Sequence, residues 1–464
     1  QSFPQPGWVE HDPEEIFRVS IEALREALAG SQGQPAALGI TNQRETIVLW
    51  DRRTLAPVAP AIVWQDRRTA ERCRELREAG LEPMLRARTG LIADPYFSAT
   101  KLEWLLRDPG IRRRAERGEL AAGTIDSWVI ARLTGGRLHV TDHTNASRTL
   151  LYDLETRNWH PDLLGLFGIP REVLPSIVTS SGVVGDIDPE HLGFPLPIAG
   201  IAGDQQAALF GQGCVAPGLA KNTYGTGAFL LVMAGEDLPL PVEGLLITVG
   251  CGPHGEPWYA VEGSVFIAGA AIQWLRDGLR IINDAAESEA LARSVPDTGG
   301  VHFVPAFVGL GTPYWEPEAR GTITGLTRGT GRAHLVRAAL EAMAFSSAEL
   351  LSTMSSAEGL TVPVLRVDGG AAANNWLMQF QADVLGIPVE RPDLIETTAL
   401  GAAGLAGLGS GVWTSAEEFL AGRKFTRFEP RLDASERRAK LKDWQRAIAA
   451  ALFWARDKGE AGAP

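Results

Sequence analysis

The chain has 464 residues, a formal net charge of −12, 45% hydrophobic residues and 22% charged residues. Such a length exceeds one ordinary core and points to two large domains, while the acidic balance excludes the basic stripe of a nucleic-acid-binding surface. Cys73, Cys214 and Cys251 lie far apart and are odd in number, which excludes a disulfide scaffold and a cysteine zinc site and suits a reducing, cytoplasmic compartment.

Residues 1–4, Q-S-F-P, have no signal-peptide character and no initiator methionine, so the chain as written is expected to start inside a longer one. Asp12-Pro13-Glu14-Glu15 is a helix start, with Asp at the N-cap and Pro at N1. Phe17, Ile21, Leu24 and Leu28 continue it at helical spacing, and Gly30 can close it. Strands are predicted at 37–40 and 46–50, around the polar T-N-Q-R-E of residues 41–45, and helices at 101–106 and 127–133. His139 and His143 are four apart, but the intervening V-T-D reads as strand or loop, so no zinc-binding helix is expected. Gly193-Phe194-Pro195-Leu196-Pro197 leads into a small apolar strand, 197–202, that ends in Gly203-Asp204, with a short helix at 205–210.

Asp204 has two readings: a helix cap, or a carboxylate that takes a substrate proton or holds Mg²⁺. Tyr224-Gly225-Thr226-Gly227 then places a hydroxyl between two glycines, where backbone N–H groups can approach phosphate oxygens. Gly250 to Gly255 matches G-x-G-x-x-G, but a strand rather than a helix follows, so it reads as a hairpin loop between strands 245–249 and 258–262. No P-loop motif occurs. Later segments alternate: strand 364–367, helix 375–385, strand 388–390, helix 398–408, then a charged helix at 434–456 and a frayed end at 459–464. This alternation favours an α/β architecture. Val367-Asp368-Gly369-Gly370, followed by Ala371 to Asn375, is either a plain strand–helix turn capped by Asn or a bed of small residues for a nucleotide. The apolar run 399–413 is short and broken by glycines, so no membrane insertion is expected. Trp64-Gln65-Asp66-Arg67-Arg68 and Tyr96 to Lys101 mix aromatics with charge. Beside Arg44-Glu45 they either fill a core or line a pocket for a small polar substrate.

Taken together, G-I-T-N-Q-R-E-T, V-W-Q-D-R-R-T, D-P-Y-F-S-A-T-K, G-I-A-G-D-Q-Q-A-A-L-F-G, K-N-T-Y-G-T-G, G-A-A-I-Q-W-L-R-D and L-R-V-D-G-G-A-A-A-N-N resemble the FGGY carbohydrate kinases of the actin-like ATPase superfamily. The likeness runs from Pro6 to about Gly409. It implies two actin-like (ribonuclease H-like) α/β domains, 1–211 and 212–464, around a cleft. The activity implied is ATP-dependent phosphorylation of glycerol to sn-glycerol 3-phosphate, with Mg²⁺, in a homo-oligomer (dimer or tetramer). By the resemblance, Arg44, Glu45, Tyr96, Asp204 and Gln205 are polar glycerol contacts, and Trp64 and Phe229 pack its carbons. Asp204 is the general base and a Mg²⁺ contact; Thr226, Gly269, Gln273, Gly370 and Asn374 bind the nucleotide.

Two departures qualify this. The first residues match the segment after the family's D-Q-G-T-T-type hairpin, so the chain as written is expected to lack one phosphate loop and to turn over little. A related polyol or sugar kinase, or an inactive actin-fold ligand-binding protein, are the alternatives. Pro195 stands where members inhibited by fructose 1,6-bisphosphate carry an arginine, so no inhibition is expected there.

Overall fold

The computed structural model describes residues 1–355 and 360–456; the frayed end expected at 459–464 lies outside the described residues. Asp12 accepts a hydrogen bond from the Glu14 N–H and Pro13 opens α1 (Pro13–Gly30), which buries Phe17 and Ile21. β1 (Leu38–Asn42) takes in Thr41 and Asn42, residues 43–46 separate it from β2 (Ile47–Asp51), and these two strands enter different sheets. β2 lies in an antiparallel sheet between Ala61–Ile62 and β3 (Leu120–Thr124), backed by α2 (Ile125–Leu133). β1 joins β4 (Ser181–Asp186) and β5 (Pro197–Gly203), and pairs parallel with β5. α3 (Asp204–Gly211) leaves directly from the end of β5.

The second half is built on one seven-stranded sheet. Its strands are β6 (Ala220–Tyr224), β7 (Ala228–Gly235), β8 (Leu246–Cys251), β9 (Pro257–Val265), β10 (Leu365–Asp368), β11 (Val389–Pro392) and β12 (Phe425–Phe428), in the order β8-β9-β7-β6-β10-β11-β12. Only β6–β10 and β10–β11 are parallel, and β6 and β10 each run into a glycine, Gly225 and Gly369. The expected hairpin at Gly250 to Gly255 is present, closed by Gly252 N–H donating to the Glu256 carbonyl at 2.8 Å. Side chains alternate across the sheet as strand pleating requires. Leu230 and Val232 face α5 (Arg332–Ser355), whereas Leu231 and Met233 face Leu209 of α3. α4 (Gly269–Asp277) follows β9, α6 (Asn375–Leu385) follows β10, and α8 (Ala434–Arg456) buries Trp444 against Phe345.

α7 (Thr397–Gly409) belongs to the second half of the chain but packs on β1, β5 and α3 of the first. Small residues make this possible. A Cβ on Gly39 would meet the Ala402 carbonyl at 2.2 Å, and one on Gly401 would meet the Ala207 carbonyl at 1.8 Å. The two helices therefore touch backbone to backbone at the seam. Gly401→Ala is expected to cost about 3 kcal/mol through forced overpacking. Gly30→Ala, where nothing lies within 4 Å, stays within about 1 kcal/mol of the parent. Urea denaturation of the two variants checks this; equal midpoints would show that the seam yields freely.

Candidate active site

The kink between β1 and β2 starts the site. Glu45 has φ 62°, a left-handed conformation that costs a non-glycine residue strain, and the Thr46 N–H closes back on the Arg44 carbonyl at 2.7 Å. Ser98 holds the turn by donating to the Glu45 carbonyl at 2.7 Å. Both the Arg44 and Glu45 side chains are thereby driven into the interior, each with 2% of its surface exposed.

There they meet charges from distant parts of the chain. Arg44 forks onto Glu262 of β9, Nη1 to Oε2 at 2.5 Å and Nη2 to Oε1 at 3.1 Å. Arg148 donates from Nε to Glu45 Oε1 at 2.7 Å and from Nη2 to Glu262 Oε1 at 3.0 Å. Burial works against every one of these charges. For Arg44, Glu262 foremost overrides burial and holds the guanidinium well above its ordinary range. Burial would raise Glu262, but Arg148 and Arg44 pull it down to about 2. Glu45 is pushed up, because burial outweighs its arginine neighbours. Burial likewise pushes the Tyr96 phenol up, which keeps it protonated, with its oxygen 3.4 Å from Arg44 Nη2.

Asp204 is the first residue of α3, with Gly203 at the N-cap position, so capping does not explain it. Its Oδ1 lies 3.4 Å from Arg44 Nε and accepts the Gln205 N–H at 2.8 Å. Its side chain is 33% exposed, which leaves it open to a ligand in the cleft. Gln205 accepts from Lys221 Nζ, which also donates to Thr223 Oγ1 at 2.9 Å. Burial pushes Lys221 down to about 8, opposed chiefly by Asp368. Trp64 stands edge-on to Tyr96 at 5.5 Å and to Phe229 at 6.2 Å, forming an aromatic wall beside the charged cage. All seven residues expected around a small polyol are thus assembled at one place.

A second cluster forms where three strand ends converge. Gly269 N–H donates to the Gly225 carbonyl at 3.0 Å, and Ala268 N–H to the Thr226 carbonyl at 2.8 Å. Gly369, with φ 82°, packs so closely on Tyr224 that a Cβ would meet its carbonyl at 2.4 Å. Gly225 and Thr226 are exposed, and a Cβ on Gly370 would meet nothing within 4 Å. Such exposed, glycine-rich backbone can take phosphate oxygens. Gln273 is exposed one turn into α4. Asn374 caps α6, accepting from Leu377 N–H at 2.9 Å, and donates to Ser288 Oγ at 3.2 Å. The structural cap and the bed of small residues are both present there.

Sequence reasoning singled out neither Glu262, Arg148, Lys221 nor Asp368 as site residues. The available signal was a charge inside an otherwise apolar strand, as in A-V-E-G-S-V of β9. His139 and His143 do not meet: His139 bonds the Ala122 carbonyl and His143 the Tyr152 hydroxyl. Among the described residues no group of three or more His, Cys, Asp or Glu side chains is arranged to hold a metal ion, and no helix is long and apolar enough to cross a membrane.

Residues 1–211 match the N-terminal domain, and residues 220–410 the C-terminal domain, of the FGGY family of carbohydrate kinases. The glycerol kinase of Carboxydothermus hydrogenoformans is 56% identical over 460 residues, covering 98% of this chain and 92% of that protein. Glycerol kinase 2 of Thermotoga maritima is 53% identical over 459 residues, again covering 98% and 92%. The crystal structure of Plasmodium falciparum glycerol kinase with ADP superposes with a TM-score of 0.90 at 37% identity, covering 97% of this chain and 92% of that one.

Proposed function

The chain belongs to the FGGY family of carbohydrate kinases, and from that premise we propose that it transfers the γ-phosphoryl group of ATP to a terminal hydroxyl of glycerol, giving sn-glycerol 3-phosphate. The observation that carries this reading is the seam itself: a buried cage of opposed charges with an aromatic wall on one side of Asp204, and an exposed glycine turn nearby. Glycerol has a hydroxyl on every carbon. Arg44, Glu45, Tyr96, Asp204 and Gln205 offer donors and acceptors to match them, and Trp64 and Phe229 cover the carbon chain. An analogue lacking a hydroxyl leaves buried partners unpaired, which costs on the order of 10⁴ in selectivity.

In this reading Asp204 accepts the proton of the attacking hydroxyl. Arg44 Nε, 3.4 Å from Asp204 Oδ1, fixes the carboxylate against the cage. Thr226 and the backbone of Gly225 to Gly227 hold the phosphates, and Gly269, Gly370, Gln273 and Asn374 line the rest of the nucleotide site. Phosphoryl transfer asks the protein for positioning and charge stabilisation rather than covalent chemistry. The partly exposed Asp204 carboxylate would hold Mg²⁺ brought with the nucleotide phosphates. When bound, that ion neutralises charge on the transferring group. Self-association belongs to the same reading, supported by Phe453 and Trp454, exposed near the end of α8 at 69% and 70%; sedimentation velocity tests it. Three free, buried cysteines suit a cytoplasmic setting.

A substrate panel tests the function. In the protein as made from its gene, ADP release is expected with glycerol and at least about 10²-fold less kcat/KM with xylulose or gluconate, because Trp64 and Phe229 are expected to exclude longer chains. Comparable rates with a sugar would move the assignment to another member of the family.

The phosphate turn gives a separate prediction. A Cβ on Gly227 would meet the Val265 carbonyl at 2.5 Å, so Gly227→Ala must shift the turn. The KM for ATP is expected to rise about tenfold or more, with glycerol affinity unchanged. An unaltered KM for ATP would remove this turn from the nucleotide site.

A further inference from the structure

Glu262 stands apart from the other cage residues in where it comes from. Arg44, Glu45, Tyr96 and Arg148 all belong to the first half of the chain; Glu262 lies on β9 of the second half. It is completely buried, and its two oxygens receive three guanidinium hydrogen bonds, two from Arg44 and one from Arg148. Ser264 adds a fourth, from Oγ to Oε1 at 3.3 Å. Arg148 in turn holds Glu45. Arg44 and Glu45 are therefore fixed, directly or through Arg148, by one carboxylate supplied from across the seam.

Resting on the functional reading above, we infer that Glu262 is a positioning residue for the alcohol site: it sets the Arg44 fork and, through Arg148, the Glu45 carboxylate, without itself belonging to the nucleotide site. Three points support the inference. Arg44 is a rigid planar fork whose direction is decided by the carboxylate it grips bidentately. Without Glu262, two buried guanidiniums lose a shared counter-charge and compete for Glu45 and Asp204. Finally, the phosphate turn is held by backbone bonds from Gly269 and Ala268, none of which involves the Glu262 side chain.

The test is a binding split measured by calorimetry on the parent protein and on Glu262→Gln. Glycerol is expected to bind at least about 30-fold more weakly to the variant, while ADP binds within about threefold of the parent. A merely structural role would weaken both ligands together, and that result overturns the inference. So does a glycerol affinity within threefold of the parent. Should Glu262→Gln fail to fold, the double variant R148Q/E262Q removes one charge of each sign, and the same split is read from it. A parent protein that binds ADP but not glycerol would instead overturn the functional reading, and this inference with it.

Discussion

Asp204→Asn is expected to lower kcat by about 10³-fold or more while glycerol still binds within about threefold of the parent. General-base catalysis contributes about 10²–10⁴-fold, and this carboxylate is the accessible acid among the proposed glycerol contacts, 33% exposed at the start of α3. Asparagine keeps the side-chain shape and the acceptor for the Gln205 N–H, so the binding geometry survives. What disappears is the proposed acceptor of the hydroxyl proton. Steady-state ADP release together with glycerol calorimetry checks both halves of the claim. Turnover within about tenfold of the parent would remove Asp204 from the base role, whatever happens to binding.

Arg44→Leu is expected to be nearly as damaging, for a different reason. The guanidinium bonds Glu262 twice and lies near Glu45, Tyr96 and Asp204. Its removal leaves buried carboxylate charge short of a partner, which costs about 3–5 kcal/mol in stability. It also removes donors from the proposed glycerol site, so kcat/KM for glycerol should fall by at least about 10². Arg44→Lys keeps the charge but not the planar fork, and is expected to restore part of the stability and little of the glycerol affinity. Chemical denaturation and kinetics on both variants decide the matter. A lysine variant with parental kinetics would show that charge alone suffices.

Signals confined to a few residues were legible in the sequence. Asp12 and Pro13 mark the start of α1, and the predicted limits of α6 and α8 agree with the structure. The strand–glycine–helix passages at Asp204 and at Gly369 are also where the sequence places them. These features depend on caps, turn residues and periodicity, which act over one or two turns of chain. Other features were invisible because they depend on contacts across long separations. Nothing local says that 38–42 and 47–51 join different sheets, since the decision lies with β5 and β3 more than seventy residues onward. The pairing of Arg44 with Glu262 spans 218 positions, and a lone glutamate in a strand announces no partner. The roles of Arg44, Trp64 and Phe229 came with the family resemblance; the residues alone allowed a core reading as readily as a pocket. The glycines of α7 looked like interruptions of an apolar run. They are the contact surface that lets the two halves touch.

In the proposed reaction the reacting hydroxyl of glycerol lies on Asp204, between the charge cage and the glycine turn. A crystal structure of the Asp204→Asn variant with glycerol and a non-hydrolysable ATP analogue tests this most directly. The predicted result is a terminal glycerol oxygen about 2.6–3.2 Å from the side chain at position 204, with the other hydroxyls on Arg44, Glu45 and Tyr96 and the phosphates over Gly225 to Gly227. Glycerol bound away from this cage, or phosphates seated away from that turn, would contradict it.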